Sequence, residues 1–177
     1  MSQVLDDLLA LLKLEVIEQG WYRGQSQDLG FRALFGGQVM GQALSAAQET
    51  VAEDRFVHSL HSYFLRPGDA KKPVLYEVEN IRDGASFSTR RVKAIQNGKA
   101  IFYMTASFQL SETGFEHQDV MPEVPGPEGI ASYSDFIHQH QLAIPEPIRG
   151  LFLAEKPIEI RPVQPYNWLK PEKTDSR

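Results

Sequence analysis

Phe35-Gly36-Gly37-Gln38-Val39-Met40-Gly41-Gln42-Ala43-Leu44 and, after a short turn, Val57-His58-Ser59-Leu60-His61-Ser62-Tyr63-Phe64-Leu65-Arg66-Pro67-Gly68 form the stretch on which the fold turns. The first segment reads as a helix of small residues. Val39, Met40, Ala43, Leu44 and Ala47 recur at helical spacing and form its apolar stripe. The second segment reads as a strand, Phe56 to Leu65, ended by Arg66-Pro67-Gly68. Gly36 and Gly37 lack a Cβ and so let a neighbouring group approach the backbone closely. The N–H groups at a helix start have no acceptor within the helix, which suits them to an oxyanion or a phosphate.

Working outward, Val4, Leu5, Leu8, Leu9 and Leu12 predict an amphipathic N-terminal helix, with Ser2 as its N-cap. Gly20 to Gly24, with Trp21 and Tyr22, predicts a short strand. Downstream, Val74–Ile81, Phe87–Ile95 and Ala100–Leu110 predict an antiparallel meander, with Asn97-Gly98 as the hairpin turn between the last two. Within the last strand, Phe102, Met104, Ala106 and Phe108 form the expected buried face. Ile101, Tyr103, Thr105 and Ser107 form the other. The character changes after Ser111, where Pro122, Pro125 and Pro127, then Pro145 and Pro147, mark a linker. Between these prolines, Tyr133 to Gln141 predicts one short helix capped by Ser132 or Ser134. Ile158, Ile160 and Val163 suggest that a further strand begins, with no sheet of its own to join before the polar tail Lys170–Arg177. The expected organisation is an N-terminal unit over 1–112, a proline-rich linker over 113–156 and the start of a truncated second unit over 157–177.

Composition narrows the function classes. The net charge of −5 speaks against a nucleic-acid partner, whose binding domains are usually basic. Cysteine is absent, so disulfides, thiolate nucleophiles and Cys-based metal sites are excluded, and a reducing cytoplasm is the expected compartment. The N-terminal apolar run carries Asp6, Asp7 and Lys13, unlike a secretory signal, and no run approaches a membrane span. His117, His138 and His140 lack the spacing of a metal site, and no cofactor is expected.

A long helix wrapped by an antiparallel sheet is the hot-dog arrangement, of α+β class. The segments Gly36–Ala43, His58–Gly68, Arg82–Val92 and Ile101–Gln109 resemble bacterial acyl-CoA thioesterase II, and the likeness runs from Leu5 to Pro162. The resemblance implies two hot-dog units in one polypeptide and hydrolysis of fatty acyl-CoA to free acid and CoA. It also implies a catalytic Asp, a Thr or Ser, and a Gln that activate a water. All three belong to the second unit, so they fall beyond Arg177 and have no counterpart here. The partners implied are acyl-CoA, the C-terminal hot-dog half and further copies of the chain in a homo-oligomer. The isolated 1–177 chain is then expected to be inactive. Two other readings stay open: an acyl-thioester-binding or assembly module without turnover, and a hot-dog dehydratase or hydratase. The second rests on His61 and Arg66-Pro67-Gly68, which faintly resemble a dehydratase pattern.

Thioester hydrolysis needs a water, a group to take its proton and donors for the developing oxyanion. Gly37 and Gln38 are the candidate donors or channel-lining residues, and Arg66 is a candidate substrate contact. Gly37 and Gly41, four apart, equally read as a packing device that brings the helix close to its sheet. His58 is the candidate general base, although a hydrogen-bonded structural histidine is the commoner case. His58 and His61 are three apart, so they are expected on opposite faces of the strand. Arg66, Lys71 and Lys72, and separately Arg90, Arg91 and Lys93, are basic clusters suited to CoA phosphates or to salt links. Asp69 and Asp83 are read as turn residues.

Overall fold

The computed structural model describes residues 2–164. The described residues divide into two compact units, one over 6–115 and one over 116–164 grouped with 2–5. The larger unit carries the sheet and the central helix. Helix α1 (Gln3–Leu12) leads into strands β1 (Glu15–Glu18) and β2 (Trp21–Gly24), then helix α2 (Gly36–Gln48). Strands β3 (Arg55–Phe64), β4 (Val74–Asp83), β5 (Phe87–Gln96) and β6 (Lys99–Leu110) follow. They form one six-stranded antiparallel sheet in the order β1-β2-β4-β5-β6-β3. Each strand read from the sequence between Gly20 and Leu110 is present. Glu15–Glu18 escaped the sequence reading because it is exposed along its whole length and shows no alternation.

The β5–β6 hairpin closes through Asn97 and Gly98 at φ 51° and 69°, the left-handed pair that a two-residue turn demands. On the inner face of the sheet, Tyr76, Val92, Phe102, Met104, Ala106 and Phe108 are buried against α2. The helix answers with Val39, Ala43, Ala46 and Ala47, small side chains that let it lie close. Met40 and Leu44, expected on the buried stripe, are only partly covered; Gln38 and Gln42 take buried positions on the helix instead. Gln42 is wholly buried and fully bonded. Its Nε2 donates to the Leu11 and Gln25 carbonyls at 2.7 and 2.9 Å, and its Oε1 accepts the Tyr76 hydroxyl at 2.7 Å. A Cβ on Gly24 would sit 2.6 Å from that Oε1, so the strand needs glycine there. Gly41 faces α1, where a Cβ would come within 3.0 Å of Leu12, so its small size serves packing against a helix and not against the sheet.

Two bulges reset the side-chain alternation. Ile101 is the extra residue of β6 between the pairs Ala94↔Phe102 and Ile95↔Ala100. It is buried, whereas strict alternation placed it on the exposed face. His58 is the extra residue of β3 between Val57↔Phe108 and Ser59↔Ser107. Past that point His61 pairs with Thr105, on the same outer face as Ser107, to which His58 is bonded. The two histidines therefore share one face, and the expectation of opposite faces is corrected by the bulge.

In the second unit, helix α3 (Tyr133–Gln139) starts on a capping box in which Ser132 and Asp135 bond each other's backbone N–H. A 3-10 turn (Gln141–Ala143) and helix α4 (Glu146–Leu153) follow, so the stretch expected as linker holds helices. Residues 154–164 form no strand; Ile160 only accepts a hydrogen bond from the Tyr133 N–H at 2.8 Å. The Lys170–Arg177 tail lies outside the described residues.

Candidate binding cleft at the start of helix α2

Phe35 enters α2 in an extended conformation and offers no side-chain cap. The first N–H groups of the helix, at Gly36 and Gly37, consequently have no acceptor within the helix. Beside them lies a cleft of about 360 Å³ walled by Val39, Phe64, Ile101 and Phe102, with Arg66 also lining it. The bulge at Ile101 shapes this wall. Besides turning its side chain inward, it leaves the Ile101 carbonyl to accept from both the Leu65 and Arg66 N–H groups, at 2.9 and 3.2 Å. Arg66 is held in place by its Nη1, which donates to the Ala100 carbonyl at 2.7 Å. A Cβ on Gly36 would stand 2.9 Å from the Phe64 ring, so the absent side chain keeps the ring and helix start in close contact.

The cleft combines apolar walls with a helix start and one guanidinium. Its apolar walls suit a hydrocarbon chain, and the helix start and guanidinium suit an oxygen-rich head group. Among its lining residues there is no Asp, Glu, His, Ser or Thr to take a proton or attack a carbonyl. Among the described residues no group of three or more metal-ligating side chains is assembled.

The sequence candidates separate in space. Gly37 stands at the helix start and Arg66 on the cleft wall. Gln38 is buried and committed elsewhere. Its Oε1 accepts from the Gln27 N–H, its Nε2 donates to the Gln25 carbonyl, and its own N–H bonds Phe35. His58 stands apart from all three, its Nε2 2.8 Å from Ser107 Oγ and its ring edge-on to Phe87. The second basic cluster is already neutralised. Arg91 pairs with Glu79 and Lys93 with Glu77, while Arg90 is buried among Thr50, Arg82, Thr89 and Asp83. Asp69 does serve its turn, accepting from Lys71 N–H at 2.9 Å. Asp83 does more than turn the chain, because it accepts from Ser88 and from the buried Arg90. Both hydrogen bonds hold its carboxyl below the usual carboxylate range.

Residues 24–109 match the model of the acyl-CoA thioesterase N-terminal domain family. Acyl-CoA thioesterase 2 of Haemophilus influenzae is 46% identical over an alignment covering 96% of this chain and 64% of that protein. The chain belongs to the acyl-CoA thioesterase II family. Human acyl-coenzyme A thioesterase 8 is likewise 46% identical, over 88% of the chain and 51% of its own length. The solved acyl-CoA thioesterase II of Mycobacterium marinum superposes with a TM-score of 0.61 at 49% identity, over 67% of this chain and 44% of that one. A hot-dog protein from Alicyclobacillus acidocaldarius, 22% identical with a TM-score of 0.64 over 75% of this chain and 50% of that one, shares the fold. This family member therefore has the hot-dog fold, and it spans 64% and 51% of the length of these two curated relatives.

Proposed function

We propose that this chain is the N-terminal hot-dog unit of an acyl-CoA thioesterase, that it holds substrate, and that the catalytic water is activated by residues outside it. The observation that carries the reading is a cleft with apolar walls and a helix N-terminus but no base, in a chain of this family. In this reading the acyl chain lies along Val39, Phe64 and Phe102, with Arg66 and the Gly37 N–H toward the thioester and CoA. Residues 157–177 lead into a second hot-dog unit, and the whole works in the cytoplasm on fatty acyl-CoA. Strand β3 is the open edge of the sheet, with Phe56, Leu60 and Phe64 exposed on it. Such an edge calls for a partner strand, and a sister unit supplies one.

The test is thiol release from a long-chain acyl-CoA, run beside equilibrium binding of the same compound. The 177-residue chain is expected to bind without releasing CoA, and turnover is expected once the C-terminal half is added. Gly36→Phe, which fills the cleft, is expected to weaken binding at least about tenfold. CoA release by the chain alone would sink the reading. His58 is proposed to have a structural part, so His58→Ala is expected to change kcat of the reconstituted enzyme less than about twofold. An enoyl thioester hydrated by the chain would favour the hydratase reading instead.

A further inference from the structure

The β5–β6 hairpin gathers cations that no carboxylate neutralises. Gln96, buried at the end of β5, draws the loop ahead of β4 against the hairpin. Its Nε2 donates to the Asp69 and Lys72 carbonyls at 2.9 Å, and its Oε1 accepts the Asp69 N–H at 2.8 Å. The loop thereby brings Lys71 and Lys72 to the turn, where Lys72 Nζ donates to Asn97 Oδ1 at 2.8 Å. Lys99 is directly opposite Gln96, so its side chain leaves the sheet on the face this loop covers. Arg66 reaches the same hairpin from beyond β3, through the Ala100 carbonyl. All four residues are exposed. Among the described residues none of the four forms an ion pair, whereas Arg91 and Lys93 on the outer face hold Glu79 and Glu77.

We propose that Arg66, Lys71, Lys72 and Lys99 bind the phosphate groups of CoA while the acyl chain occupies the neighbouring cleft. The assignment rests on the substrate reading above and adds to it where the charged end of the substrate goes. Charge is the first argument. Between Arg66 and Lys99 the hairpin and its loop bring together four cations, and the loop's one carboxylate, Asp69, already accepts the Lys71 N–H at 2.9 Å. On a chain of net −5 this is a local field of opposite sign, and a polyanion relieves the mutual repulsion of the cations. Position is the second. Arg66, Pro67 and Gly68 line the cleft, and so does Ile101, which stands two residues, about 7 Å, along β6 from Lys99. Donor chemistry is the third. Arg66 spends Nη1 on Ala100 and keeps further N–H groups for oxygen ligands, and lysine ammonium groups suit phosphate as mobile point charges.

Equilibrium binding of octanoyl-CoA and of octanoyl-pantetheine, which carries no phosphate, to the 177-residue chain tests the assignment. At about 50 mM salt the wild type is expected to bind octanoyl-CoA at least about tenfold more tightly, an advantage that shrinks at about 500 mM. Lys72→Glu with Lys99→Glu is expected to cut the advantage below about twofold and to leave octanoyl-pantetheine binding as it was, which also shows that the variant is folded. Arg91→Glu with Lys93→Glu makes the same change of net charge on the outer face and is expected to keep the advantage. Equal binding of the two compounds by the wild type would overturn the assignment. So would an advantage that survives in the Lys72 and Lys99 variant, or one lost equally in the Arg91 and Lys93 variant. Octanoyl-pantetheine binding indifferent to Gly36→Phe is a different failure: it would remove the acyl chain from the cleft, and the phosphate assignment would fall with the substrate reading.

Discussion

Gln42→Leu is expected to destabilise the chain by about 3 kcal/mol, lowering the melting temperature by about 6–12 °C. Leucine conserves the volume but leaves the buried Tyr76 hydroxyl and the part-buried Leu11 and Gln25 carbonyls without the side chain they bond. An unpaired buried polar group costs about 1–3 kcal/mol. Burial already pushes the Tyr76 phenol well above its ordinary range, so it cannot escape the loss by ionising. The effect is specific if it couples to its neighbours. Gly24→Ala places a methyl 2.6 Å from the Gln42 amide oxygen, so it is expected to cost about 1–2 kcal/mol in the wild type and little beside Gln42→Ala. Chemical denaturation of the two single variants and the double closes this cycle. Strictly additive costs would mean that the Gln42 amide does not stand where it is described.

That glutamine shows where sequence reading stops. Periodicity finds an element because apolar residues recur on its buried side, and it placed β3 to β6, both major helices and the Asn97-Gly98 turn within a residue or two. It assigns polar residues outward. Gln38, Gln42, Gln96 and Arg90 are all buried here, each bonded to main chain. Gln96, for example, donates to the Asp69 and Lys72 carbonyls and accepts from the Asp69 N–H, which fixes the loop ahead of β4. Such residues became visible only once their partners, far away in sequence, were in place.

The candidate site was half legible for a related reason. Gly36-Gly37 and Arg66-Pro67-Gly68 were legible as features of one region, because a glycine pair and a strand-ending Pro-Gly have local meanings, and Gly36, Arg66, Pro67 and Gly68 do meet around the cleft. Ile101 and His58 were misplaced because a β-bulge inserts one residue without a side-chain signature, and everything beyond it changes face. One such bulge gives the cleft its Ile101 wall, and the other moves His58 to the outer face. The missing base follows from neither; it is a property of the residues that line the cleft.

Arg90→Met is expected to cost about 3 kcal/mol at neutral pH and to change the acid limb of stability as well. The guanidinium is almost wholly buried beyond the end of α2. It donates to Thr50 Oγ1, the Thr50, Arg82 and Thr89 carbonyls, and the Asp83 carboxylate. Helix C-termini favour a cation, so part of its contribution comes from the carbonyl end of α2. Methionine fills the same channel but withdraws the guanidinium's bonds from three carbonyls and from the Thr50 hydroxyl, which is why the loss is large although Asp83 itself is more than half exposed. The pH effect follows from Asp83. Its folded carboxyl is held low by Ser88 and then by Arg90, while the unfolded one titrates in the ordinary carboxylate range. Between those two values the unfolded chain binds the proton and the folded chain does not. The stabilisation is therefore complete above the ordinary carboxylate range and is lost as pH falls through the lowered folded value. Asp83→Asn is expected to lower neutral stability by the amount that Asp83 contributes there and thereby to flatten the decline on acidification, which urea titrations from pH 7 down to about pH 2 would read. Some decline should remain, since the Ser132 contacts lower Asp135 with the same sign. An acid limb as steep in Asp83→Asn as in the wild type would place the proton-linked stability elsewhere and reduce Arg90 to a purely main-chain clamp.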